Sequence, residues 1–147
     1  MKSGVTIFFV LFVLVAYLRH AENKLVSFPE SREALIPVRN HCIERVHTDP
    51  KLIDNAVKGN FAADRKLECY YKCMMLNTKM MRNDKIVERL LYDLAEFAVV
   101  EESRTVFRKA VENCHALATK SMDGCKLAYE YVKCLYEYDP VVRYINN

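Results

Sequence analysis

The residues whose type and spacing could do chemistry are six cysteines: Cys42, Cys69, Cys73, Cys114, Cys125 and Cys134. Cys69 and Cys73 lie in the helical-looking run from Leu67 to Leu76, four residues apart and so on one helix face. Their Cβ atoms would stand ~5–6 Å apart, against the ~3.5–4.5 Å of a relaxed disulfide, so each should reach for a different neighbour. That makes this helix the centre of a stapled fold. Zinc is the competing chemistry, with His41 and Cys42 joining Cys69 and Cys73, but a helical C-x3-C pair lacks zinc-knuckle spacing and no metal site is expected. Catalysis fares no better. Paired cysteines leave no thiolate, and His41, His47 and His115 have no nucleophile or base at a recognisable spacing. A phospholipase would need a histidine and an aspartate beside a glycine-rich calcium loop, which is absent; the expectation is no catalytic residue, no enzyme and no cofactor.

Disulfides need an oxidising compartment, and the N-terminus points to one. Behind Met1 and Lys2, residues Val5 to Leu18 form an apolar run of 14, the shape of a secretory signal peptide and short for a membrane span. Cleavage is expected between positions 16 and 21, leaving a domain of residues 22–147 that is secreted into the extracellular space. Cutting after Ala21 removes Lys2 and Arg19 and no acid, so the net charge drops from +3 to +1. A chain so nearly neutral has no electrostatic handle for nucleic acid, and the mature part has no segment to insert in a membrane. Its length suits one domain.

The elements that must position the cysteines read as helix after helix, with only three glycines in the chain. Ser31 to His47 forms a first helix that Pro37 should kink or break. Asp49-Pro50 caps a short second helix with Leu52, Ile53, Ala56 and Val57 inward, stopped by Gly59. Asp64 caps the third, which carries Cys69 and Cys73 to about Met81. Asn83 is expected to cap a fourth, with Ile86, Leu90, Leu94 and Phe97 in one stripe and Val87 and Leu91 widening it. A fifth, from about Glu102 to Leu117, turns Val106, Ala110, Cys114 and Leu117 to one side. Ser121 is expected to cap a sixth, which Asp139-Pro140 ends. Nine residues separate Cys125 from Cys134, ~13.5 Å of helix, so they do not bond each other. Of fifteen pairings, excluding this one and Cys69–Cys73 leaves ten open.

The intervals between successive cysteines hold 26, 3, 40, 10 and 8 residues. This pattern resembles the insect odorant-binding protein family, with three residues between the second and third cysteines and eight between the fifth and sixth. Asp49-Pro50 through Gly59-Asn60-Phe61 resembles the family's second helix, and Cys125 to Pro140 its sixth. The resemblance implies the wiring Cys42–Cys73, Cys69–Cys125 and Cys114–Cys134. It also implies an all-α fold of about six short helices, stapled by three disulfides around an apolar cavity that carries small hydrophobic ligands.

Candidate ligand contacts are Met74 on the third helix, Leu90, Leu94 and Phe97 on the fourth, Val132 and Leu135 on the sixth, and Val141 and Tyr144 in the tail. Met74, Met75, Met80 and Met81 suit either an adaptable pocket or ordinary core. Tyr70, Tyr71, Tyr129, Tyr131, Tyr136 and Tyr138 are read as structural or exposed, on the ground that adjacent tyrosines cannot both face inward. Ala128, Val132 and Leu135 share one face of the sixth helix, Tyr131 and Tyr138 another. The apolar tail, Val141 to Ile145, is expected to fold over the pocket after Pro140. Moth pheromone carriers in that family have a longer, acidic tail; here 13 residues follow Cys134 and none after Asp139 is acidic. Ligand affinity should therefore depend only modestly on pH, with His47 and His115 the groups that could move it. The function this implies is an extracellular carrier of an odorant or pheromone-like molecule, monomeric or weakly dimeric, with an olfactory receptor as its partner. A secreted helical signalling or toxin-like protein with a filled core is the alternative.

Overall fold

The structure is a computed structural model that describes residues 28–97 and 101–138, the side chains of Phe97 and a few residues near the ends excepted. These residues form six helices and one small hairpin: α1 Phe28–Val46, α2 Pro50–Val57, α3 Arg65–Asn77, β1 Met81–Arg82, β2 Lys85–Ile86, α4 Glu88–Phe97, α5 Glu101–Ala118 and α6 Gly124–Tyr138. Among the described residues no helix is long and apolar enough to cross a membrane.

Pro37 lies within α1, which runs on through it as one helix. The expected break does not occur because Pro37 and Glu33, whose carbonyl loses its donor, are both exposed, so water can take that carbonyl. Asp49 caps α2 by accepting from Lys51 N at 2.9 Å, with Pro50 at the first helical position. Gly59, at φ 93°, ends it in the left-handed region, its N–H donating to Ala56 O at 2.9 Å. Asp64 caps α3 through Leu67 N at 2.8 Å.

α3 stops at Asn77, short of the expected Met81, and the chain forms the hairpin instead. Met81 pairs with Ile86 and Arg82 with Lys85. Asn83 caps no helix: Asn83 and Asp84, at φ 51° and 56°, are the two turn residues. A two-residue hairpin whose twist matches its strands needs positive φ at both turn positions, and Asn and Asp tolerate it best after glycine. At α6 the cap is Asp123, not Ser121. Its Oδ1 accepts from Cys125 N and Lys126 N, both at 3.1 Å, and its carbonyl receives Leu127 N at 2.8 Å. A Cβ at Gly124 would overlap the Asp84 carboxylate, which pairs with Lys72 Nζ at 2.6 Å, so a side chain there would have to displace that carboxylate. The hairpin turn is thereby fastened to both α3 and the start of α6.

The core lies between α3 and α6, with α1 on α3 and α5 on α6, and α4 on α5. α6 is buried nearly all round, through Leu127, Ala128, Tyr129, Tyr131, Val132, Leu135 and Tyr136. Tyr131 is therefore fully enclosed, while Tyr138 is exposed; they do not share an environment. On α5 the buried ridge is Phe107, Ala110, Val111 and Cys114, with Val106 and Leu117 only half-buried. Disulfides join Cys42 to Cys73, Cys69 to Cys125 and Cys114 to Cys134, with Cα separations of 5.7, 4.4 and 6.0 Å. α3 is thus bonded to α1 and to α6, and α6 also to α5.

Candidate functional site

Inside this frame is a cavity of about 630 Å³ whose wall draws on every helix. α1 supplies Leu35, Ile36 and Arg39, and α2 supplies Ile53, Asp54 and Val57, followed by Lys58. α3 contributes Tyr70, Tyr71, Met74 and Met75, then Thr78 and Met80; Leu91, Phe107, Val132 and Leu135 come from α4, α5 and α6. Ile36, Asp54 and Lys58 are exposed at the mouth, whereas Ile53, Met75, Leu91 and Phe107 are each at most 4% exposed and form the depth. A concave, mostly apolar wall of this volume with few polar groups is the form of a small-molecule site.

Of the candidate contacts, Met74, Val132 and Leu135 lie in this wall. Leu90 does not: it is 40% exposed. α4 begins only at Glu88, after the hairpin, and that phase turns Leu91 and Ala95 inward and Leu90 out. Leu94 packs half-buried against the core without lining the cavity. The Phe97 side chain, Val141 and Tyr144 lie outside the described residues. Of the methionines, Met74, Met75 and Met80 reach the cavity, and Met81 is buried core.

Tyr70 and Tyr71 are adjacent and both buried, at 3% and 4% exposure. The expectation that one must face out fails because α3 is covered on two sides: Tyr70 lies near the charges of Arg39 and Asp54, on α1 and α2, while Tyr71 stacks toward Phe61 and Tyr129 at 6.3 Å each. Burial pushes the Tyr70 hydroxyl up to about 12, with Arg39 opposing, and burial drives Tyr71 up as well. Both remain neutral donors at any physiological pH, and neither makes a hydrogen bond among the described residues. Tyr129 and Tyr136 are structural, donating to Ala62 O and Val57 O at 3.0 Å each. Phe61 packs edge-on to both rings, at 5.8 and 5.2 Å.

The polar part of the wall is at the mouth. Arg39 Nη2 meets Asp54 Oδ1 at 3.2 Å, and Lys58 stands nearby in the wall with no ion pair among the described residues. Thr78 turns its hydroxyl back to Met74 O at 2.9 Å. His115 is elsewhere, its Nδ1 2.7 Å from Glu88 Oε2, and neither residue lines the cavity. Among the described residues no three His, Cys, Asp or Glu side chains converge to hold a metal.

Reading from sequence missed Leu35, Ile36, Arg39, Asp54 and Lys58, because nothing in α1's weakly patterned surface marks which side the short α2 will cover. Phe107 could have been found from the series Phe107, Ala110, Val111, Cys114, whose spacing is as helical as the one through Val106.

A model of the PBP/GOBP family matches residues 27–138. General odorant-binding protein 99b of Drosophila melanogaster is 27% identical over 108 residues, spanning 71% of this chain and 72% of its own. Among solved structures, Apis mellifera odorant binding protein 5 superposes with a TM-score of 0.72 at 22% identity, covering 79% of this chain and 94% of that one. Odorant binding protein 4 of Chrysopa pallens gives 0.67 at 24% identity, over 75% and 90%. At these identities the two structural matches speak for the fold.

Proposed function

From the premise that the chain belongs to the PBP/GOBP family, we propose that it is a secreted carrier. It takes a small hydrophobic molecule, odorant or pheromone-like, into the cavity, keeps it in solution and delivers it through extracellular fluid to an olfactory receptor. Residues 1–21 are its signal peptide and 22–147 its working domain, acting as a monomer or weak dimer without metal, cofactor or catalysis. The observation that carries the reading is the cavity of about 630 Å³, apolar in its depth and drawn from all six helices. Burial returns about 25 cal/mol per Å² of apolar surface, so a flexible ligand of that class gains by entering. Met74, Met75 and Met80 can repack around varied shapes. The tail from Val141 to Ile145 is assigned as a cover over this space, with Val141 and Tyr144 as contacts.

Native mass spectrometry after expression in cells tests the proposal. A carrier brings along apolar molecules that leave on mild activation, and the neutral fluorescent probe N-phenyl-1-naphthylamine binds and is displaced by apolar competitors. A chain that carries nothing and leaves the probe unbound is not a carrier, and would favour a signalling protein acting through its surface.

A further inference from the structure

We infer that the cavity mouth selects ligands with a carboxylate head, so that the preferred cargo is a long-chain apolar carboxylate lying tail-first, its head between Arg39 and Lys58. This rests on the carrier reading and adds a ligand class to it. The charged groups in the wall are two cations, Arg39 and Lys58, and one anion, Asp54. Asp54 occupies Arg39 through a single contact, Nη2 to Oδ1 at 3.2 Å, which leaves most of the guanidinium's five donors open, and Lys58 has no ion pair among the described residues. Tyr70, a wall residue only 3% exposed and without a hydrogen bond among the described residues, lies in the field of both Arg39 and Asp54. The mouth thus offers donors in surplus and one acceptor group. A planar monoanionic head matches the guanidinium fork and adds one negative charge where the wall has a positive excess of one. A dianionic phosphate head would bring two, against Asp54, and is disfavoured. The depth beyond, with Ile53, Leu91 and Phe107, has no charge and accepts the hydrocarbon.

Competition against N-phenyl-1-naphthylamine tests this with tetradecanoate, its methyl ester and tetradecanol, each below its aggregation limit at pH 7.5. The three share a tail and differ in the head. The acid should displace the probe about three- to tenfold better than the ester, less than a dry charge-assisted contact would give because the mouth is solvated. That ratio should fall toward one in Arg39→Gln and in Lys58→Gln, rise in Asp54→Asn, and shrink as salt is raised. Circular dichroism confirms that each variant is folded. An acid that binds no better than its ester, or a preference that survives both cation variants, overturns the inference while the carrier reading stands. Failure of the probe and all three compounds to bind removes the carrier reading, and this inference with it.

Discussion

Replacing Cys69 and Cys125 together by alanine removes the covalent tie between α3 and α6, the two helices that share the core and much of the cavity wall. The bridge spans 56 residues of chain. On the chain-entropy account, freeing a loop of that length stabilises the unfolded state by about 4 kcal/mol. The two remaining bridges do not change this much, because the route from Cys69 through Cys114–Cys134 to Cys125 is about as long as the direct one. The Cys114–Cys134 bridge spans only 20 residues, so its removal should cost nearer 3 kcal/mol. Urea unfolding of both double variants, with the slope compared as well as the midpoint, measures the two losses. The Cys69→Ala/Cys125→Ala protein should melt on the order of 15 °C lower and release N-phenyl-1-naphthylamine faster, since Tyr71 and Leu135 would no longer be held across the cavity by a covalent frame. A loss below about 1 kcal/mol, or one smaller than that of the shorter bridge, would refute the reasoning: packing of α3 on α6, not the restricted unfolded chain, would then hold the fold.

Gly59→Ala should destabilise by about 1–2 kcal/mol in thermal melts, because φ at 93° admits no side chain cheaply and the new Cβ would sit 3.2 Å from Tyr136 Oη. Tyr136→Phe, which loses the bond to Val57 O at 3.0 Å but keeps the ring against Phe61, should cost about 1 kcal/mol. Hydrogen bonds from Arg65, first, and from the α6 backbone hold the Asp123 carboxyl well below the usual carboxylate range, so it favours the folded state above pH ~4 and loses that contribution as pH falls toward its folded value. Asp123→Ala should therefore be less stable than the parent at pH 7, with the gap closing in acid; a gap that stays constant to pH 2 would contradict it. Affinity for the neutral probe should change by less than about tenfold between pH 7 and 5, as His47 and His115 both stand outside the wall. Ending the chain at Pro140 should leave helicity intact by circular dichroism and speed probe release; unchanged release would show that Val141 to Ile145 cover nothing.

What could be read from sequence was what local chemistry decides. Asp49-Pro50, Asp64 and Gly59 act on backbone groups within a few residues of themselves, and each does so in the structure. The cap at α6 was misplaced by two residues because Ser121 and Asp123 both qualify locally. The choice falls to Asp123 through a distant partner, Arg65 Nη1 at 2.5 Å, on another helix. The hairpin was hidden for a related reason. Asn83 and Asp84 favour a cap as much as a positive-φ turn, and the turn prevails because Asp84 is anchored to Lys72 and rests against Gly124.

The cavity was harder to read because a hollow interior changes what an apolar stripe means. In a filled bundle the centre of each helix's stripe is the core, and choosing Leu90 and Leu94 from such a stripe assumes that core and ligand wall coincide. Here they coincide only in part. Leu67 and Leu127 are core and stay outside the wall, Tyr71, Met75, Leu91 and Phe107 are core and wall at once, and the rest of the wall comes from half-buried or exposed flanks such as Leu35, Met74 and Lys58. Those flanking positions can be polar at little cost where they reach the mouth, which is how Arg39, Asp54 and Lys58 come to border an apolar space. Helical periodicity is blind to them because it scores apolarity. A ligand's head group meets these residues and its tail meets the others, so the residues invisible to the pattern are the ones placed to discriminate between ligands with the same hydrocarbon.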